Sequence, residues 1–287
     1  MSRPKILLTG SAGQLGFELA KTLAAHAEVV GRDHATLDLA DPDAQVAAVR
    51  GVRPQAIVNA AAYTAVDRAE NEPGRAHAIN AVAPGILAEE ARRLDALLIH
   101  FSTDYVFDGK ATAPYAEDDP TGPLNVYGLT KLTGERAIAQ GGAKSLILRT
   151  SWVYGLRGSN FLLTIKRLAT ERNELKIVAD QFGVPNWSRA LAQATAELVA
   201  LGVPTLGERA GVYHLSAAGS ASWFEFARAI IGNKQHPRVV PIATSEYPTA
   251  ARRPAYVVLG TSKLEATFGI SLGHWRELLA ECLASAS

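Results

Sequence analysis

Short apolar runs alternate with amphipathic stretches through the first half of the chain. Lys5 to Thr9, Glu28 to Gly31, Ala56 to Asn59, Ala96 to Phe101 and Ser145 to Arg149 are mostly apolar and β-branched, the pattern of strands covered on both faces. Between them, Gln14 to Ala25 and Pro84 to Leu94 repeat their apolar residues at helical spacing. Asp41-Pro42 reads as an N-cap followed by proline at the first helical position. Strands alternating with helices predict a parallel sheet covered by helices. The right-handed crossover rule makes that sheet doubly wound, of Rossmann type.

The rhythm changes after about Trp152. Phe161 to Arg172 and Arg189 to Leu201 have helical spacing, with short strand-like pieces at Leu175 to Val178 and Val212 to Leu215. Pro185, Pro204, Gly211, Pro241 and Pro248 punctuate this half. The expected α/β architecture is therefore a dinucleotide-binding domain over residues 1–151, with segments that return to it. A smaller, mixed α/β C-terminal lobe over residues 152–287 holds the substrate and is interleaved with the first domain.

Composition narrows the class. The chain has 287 residues, 48% hydrophobic and 20% charged, as in an ordinary globular enzyme. A net charge of +1 gives no domain-wide basic excess, so nucleic acid is not an expected partner. Cys282 is the single cysteine, which excludes an internal disulfide and a cysteine zinc cluster. Met1 to Lys5 leads straight into Ile6 without a long apolar region, and no stretch has the apolar length of a bilayer span. The expectation is a cytoplasmic protein with no membrane partner.

The first chemistry-bearing element is Gly10-Ser11-Ala12-Gly13-Gln14-Leu15-Gly16, between the first strand and the first helix. Gly10, Gly13 and Gly16 allow a tight turn and a close backbone approach to a pyrophosphate. Gln14 and Leu15 open the helix, whose free N–H groups attract phosphate. Glycines alone would also fit a surface turn, but the strand-turn-helix setting favours a dinucleotide site. Small residues after the third strand, Ala60 to Ala62 ahead of Tyr63 and Thr64, leave room for a ligand, although they also fit close packing.

Tyr127 and Lys131 lie four apart at the start of a helical stretch and so share one face. An ammonium beside a phenol is expected to lower the tyrosine pKa and suit it to proton transfer. Such pairs are common on helix surfaces, and the glycine loop is what favours chemistry here. Ser102 or Thr103, where the fourth strand ends, can supply a hydroxyl to a substrate carbonyl; a turn or cap ahead of Asp104 is the plainer alternative. At the end of the second strand, Arg32 falls where an acid would select NAD, and Asp33 follows it. Because Arg32 comes first, NADPH is the expected cofactor, with NADH tolerated.

Together these pieces resemble the extended short-chain dehydrogenase/reductase superfamily. Val58 to Asp67, Ser102 to Phe107, Leu124 to Gly128, Arg149 to Tyr154, Asp180 to Gly183 and Tyr247 to Pro254 are similar to the dTDP-4-dehydrorhamnose reductase family within it. The resemblance implies reduction of a 4-keto sugar nucleotide, the final step of dTDP-rhamnose formation. It gives Tyr127 the role of acid and Lys131 those of tuning the tyrosine and holding the nicotinamide ribose. Thr103 would complete the triad. Thr103, Asp104 and Trp152 would touch the sugar, and Asp38 and Leu39 the adenine. Arg253, ahead of Pro254, is the arginine preferred for the substrate's diphosphate, against the alternative of an exposed basic turn.

The resemblance also implies a homodimer. Some members bridge protomers with a divalent ion held by glutamates, for which Glu18, Glu197 and Glu281 are the candidates; no metal is assigned, because scattered glutamates are usually solvated. The rival readings are another sugar-nucleotide epimerase or dehydratase, and a non-catalytic regulatory subunit of the same fold.

Overall fold

The computed structural model describes residues 3–232 and 237–286. In chain order, β1 (Lys5–Thr9) turns into α1 (Gln14–Leu23), followed by β2 (Glu28–Arg32), α2 (Pro42–Val52) and β3 (Ala56–Asn59). Short helices α3 (Val66–Ala69) and α4 (Pro73–His77) lead through a π-helical turn (Ala78–Val82) into α5 (Ala83–Arg93). Then come β4 (Leu97–Thr103), a 3-10 turn (Asp104–Val106), α6 (Val126–Gly141) and β5 (Ser145–Thr150). The second half runs β6 (Val153–Tyr154), α7 (Phe161–Glu171), β7 (Glu174–Val178), β8 (Phe182–Gly183), β9 (Asn186–Trp187), α8 (Ser188–Ala200) and α9 (Val203–Glu208). It ends with β10 (Gly211–His214), β11 (Ala221–Ser222), α10 (Trp223–Ile231), β12 (Arg238–Ile242), α11 (Ser262–Phe268) and α12 (Trp275–Ala284).

Six strands form one parallel sheet in the order β10-β5-β4-β3-β1-β2. The chain reverses direction across the sheet between β1 and β3, and a doubly wound sheet opens its ligand crevice at such a point. The expected strands form almost as read. β4 runs two residues further than expected, because Ser102 and Thr103 pair in register with Arg149 and Thr150. β10, read from the sequence as part of the second half, adds to the main sheet beside β5.

The packing explains that return. Ile6, Leu8, Val58, Ile99 and Leu148 on one sheet face are buried with Leu191 and Leu198 of α8 and with Phe268 of α11. The opposite face packs Leu7, Ile57, Leu98 and Ile147 against Leu87 of α5 and Ile138 of α6. A separate core gathers Tyr154, Leu162, Trp187, Phe226 and Trp275. Around it lie three two-stranded sheets, β11-β8, β12-β7 and β6-β9. Among the described residues, no helix is long and apolar enough to cross a membrane.

Candidate active site

A cleft of about 930 Å³ opens at the carboxyl ends of β1, β3, β4 and β5. Gly10, Gly13, Gln14 and Leu15 line one part of it. Gly10 has a φ of +71°, and a side chain there would meet the Ala61 backbone at 2.8 Å. Gly16 lies beneath the loop: a Cβ on it would stand 2.0 Å from the Gly10 carbonyl oxygen. Gly13 caps α1 without any side-chain bond to the first turn, so the helix amides stay open to an anion. Loop and helix end thus fit the pyrophosphate of a dinucleotide. Gln14 is held by donating to the Val153 carbonyl at 2.9 Å.

Asp33, His34, Leu37, Asp38 and Leu39 line the wall beyond β2. Arg32 does not line it; its Nη1 donates to the Gly31 carbonyl at 3.1 Å. Asp33 faces the cleft instead, and hydrogen bonds from Thr36 hold its carboxylate below the usual range. Ala62, Tyr63 and Thr64 line the wall after β3. Asn80 fixes that segment by accepting the Tyr63 amide at 2.8 Å and donating to its carbonyl at 3.1 Å.

Thr103, Asp104, Tyr105, Tyr127, Lys131, Trp152 and Trp223 line the opposite part. Asn125 caps α6, accepting the Gly128 amide at 2.8 Å. The cap places Tyr127 and Lys131 in the first turns of a rigid helix. Tyr127 is half-buried beside the Thr103 side chain. Burial pushes its phenol up to about 12, against the pull of Thr103.

The lysine does not lower the tyrosine as expected from the sequence. Lys131 is buried, and its Nζ turns away to the Phe101 carbonyl at 2.7 Å and to His100 Nε2 at 3.1 Å. Burial pulls this ammonium down to about 8, with Glu135 opposing.

Asp104 is a buried carboxyl beside this group. One oxygen accepts from the Thr103 hydroxyl at 2.9 Å, and the other has no partner. Burial pushes it up to about 7. Trp152 adopts a φ of +41°, rare for a bulky residue. Its ring stacks on Trp223 with centroids 3.5 Å apart, and Gly183 leaves the space behind it.

Arg253 lies outside the cleft, in a neighbouring cavity of about 480 Å³ with Arg252, Gln181 and Tyr247. Its guanidinium grips Asp67 through two bonds, at 2.8 and 3.1 Å. Among the described residues no group of three or more His, Cys, Asp or Glu could hold a metal. Glu18 accepts from Arg189 at 3.1 Å, and Glu197 and Glu281 are exposed.

The sequence reading named Asp33 only as the neighbour opposing Arg32, and passed over Trp223 as a wall residue and the Asn59-His100 pair behind the wall. His100 could have been found. A histidine inside an apolar strand must have a buried partner, and Asn59 ends the adjacent strand in register with it.

The chain matches the family described as the RmlD substrate binding domain over residues 4–287. It is 46% identical to a dTDP-4-dehydrorhamnose reductase from Burkholderia thailandensis, with 97% of this chain and 98% of that one covered. The structure of a dTDP-4-dehydrorhamnose reductase from Bacillus anthracis in complex with NADP superposes with a TM-score of 0.92, at 35% identity and 99% coverage of both chains. The Thermus thermophilus UDP-glucose 4-epimerase complex with NAD shares the fold, with a TM-score of 0.80 at 20% identity, covering 99% of this chain and 100% of that one.

Proposed function

The chain belongs to the RmlD family, and we propose that it reduces the 4-keto group of dTDP-4-dehydro-L-rhamnose to give dTDP-L-rhamnose. NADPH is the preferred reductant and NADH is accepted. The observation that carries this reading is a single cleft lined by both the glycine loop and the Thr103-Tyr127-Lys131 group.

Gly10, Gly13 and the open amides of α1 would hold a nicotinamide cofactor, which would supply the hydride for the carbonyl carbon. The chain's own residues manage the proton. Burial keeps the Tyr127 phenol protonated at neutral pH, so its hydroxyl is a donor for the alkoxide that develops on the sugar. Thr103, beside it in the same cleft, is assigned to orient that hydroxyl. Lys131, whose Nζ rests on the Phe101 carbonyl, is assigned to the nicotinamide ribose and to the tyrosinate left behind. Asp104 and Trp152 shape the sugar pocket, and Arg253 reaches toward the diphosphate from the neighbouring cavity. The second half of the chain adds Trp152 and Trp223 to that pocket. This assignment carries with it a cytoplasmic homodimer, which light scattering on the purified protein tests for assembly.

A panel of 4-keto sugar nucleotides tests the function. The expected result is NADPH oxidation matched one for one by a reduced product, fastest with dTDP-4-dehydro-L-rhamnose. Conversion without net cofactor oxidation would instead identify an epimerase. Cofactor binding with no turnover on any of these sugars would identify a regulatory module.

A further inference from the structure

His100 sits between the apolar Ile99 and Phe101 of β4 and is wholly buried, as is Asn59 beside it. Asn59 Oδ1 accepts from the Thr9 hydroxyl at 2.6 Å and from the Ala61 amide at 3.2 Å. The Ala61 N–H fixes which way the Asn59 amide faces, because it only donates and the amide nitrogen could not accept it. The nitrogen is therefore the atom 3.0 Å from His100 Nδ1. An amide nitrogen only donates, so Nδ1 must offer a lone pair. Burial holds the imidazole well below its usual pKa and hence neutral. A neutral ring carries one proton, which is left on Nε2.

Nε2 lies 3.1 Å from Lys131 Nζ, which also reaches the Phe101 carbonyl at 2.7 Å. An ammonium at that position sets two donors against each other, whereas a neutral amine accepts the Nε2 proton and completes the chain from Thr9 to Lys131. The other groups facing Lys131 are few. Glu135, one turn along α6, favours the charge but is itself held by Arg149 of β5 and by Ser102. Asp104 and Tyr127 lie on the cleft side.

The geometry points to a role that rests on the reductase assignment. His100, locked by Asn59 with its proton on Nε2, is a positioning residue that seats Lys131 and governs whether that lysine carries charge. It touches neither substrate nor reacting atoms; it acts through the lysine.

Two variants and one spectrum test this. His100→Gln can turn an amide oxygen to Lys131 and accept from the ammonium. Asn59→Asp accepts a hydrogen bond from Nδ1–H, which moves the lone pair to Nε2. Both should favour the charged lysine and move the alkaline limb of the kcat/KM profile up by about one pH unit, the size of one neutral hydrogen bond. A folded variant that loses activity equally at every pH, with the limb unmoved, overturns the role. Nitrogen NMR of histidine-labelled wild-type protein reads the tautomer without substrate, so it stands apart from the identity of the sugar. A proton on Nε2 is expected, and a proton on Nδ1 overturns the proposal even if His100→Gln fails to fold.

Discussion

Replacing Tyr127 by Phe removes one hydroxyl from a side chain packed edge-on against Tyr105 at 5.7 Å, so the ring should stay in place. The rate should fall by about 100-fold or more, the scale of a positioned proton donor, with cofactor affinity unchanged in a fluorescence titration. Cofactor choice turns on neighbouring residues. In the proposed complex Arg32 would attract a 2′-phosphate from outside the cleft wall, and the Asp33 carboxylate, which lines the wall, would repel it. Charge pairs exposed to water change binding only several-fold. Asp33→Asn should therefore raise the NADPH-over-NADH ratio of kcat/KM about fivefold, and Arg32→Ala should lower it by a similar factor. A ratio that moves in neither variant removes both from cofactor selection. The glycine loop and the Tyr127-Lys131 spacing were legible in the sequence because each is local. The direction of Arg32, the Asp67 partner of Arg253 and the turning of Lys131 toward His100 were not, because they depend on side-chain orientation and on contacts distant along the chain.

Among the elements, β1 and α1 are joined by the tightest constraint near the site. A methyl group on Gly16 would lie 2.0 Å from the Gly10 carbonyl, a contact that only a shift of loop or helix relieves. Gly16→Ala should cost about 1–3 kcal/mol, as overpacking does. It should also weaken NADPH binding at least about tenfold, because the shifted loop no longer presents the α1 amides. Urea denaturation and calorimetric titration measure the two effects, and unchanged affinity would detach the loop from the cofactor. Strands with uninterrupted apolar runs, such as β1 and β3, could be read directly. β4 was read short because Ser102 and Thr103 look like turn residues, yet Ser102 is buried against Glu135. The return of β10 to the main sheet was not readable, since four strand-forming residues carry no mark of which sheet they join.

Over the whole molecule, the buried polar groups of the site set a pH dependence. Burial raises Asp104 from 3.8 to about 7, so between those values the folded chain holds a proton that the unfolded chain has released. The stability from Asp104 is fully present at lower pH and is lost as pH rises toward 7, by linkage on the order of a few kcal/mol. Asp104→Asn cannot ionise. It should flatten thermal unfolding across that window and leave the variant more stable than wild type above pH 7; an unchanged slope would mean that Asp104 is charged and paired in the folded state. The central claim is hydride delivery to a sugar carbonyl across this cleft, with Tyr127 giving the proton. Its most direct measurement uses NADPH deuterated at the transferring position of the nicotinamide, with dTDP-4-dehydro-L-rhamnose as substrate. The account predicts one deuterium on carbon 4 of the product sugar per NADPH oxidised, with formation slowed about 100-fold or more by Tyr127→Phe. Deuterium that remains on the cofactor while the sugar is converted, or that appears at another carbon, would contradict it.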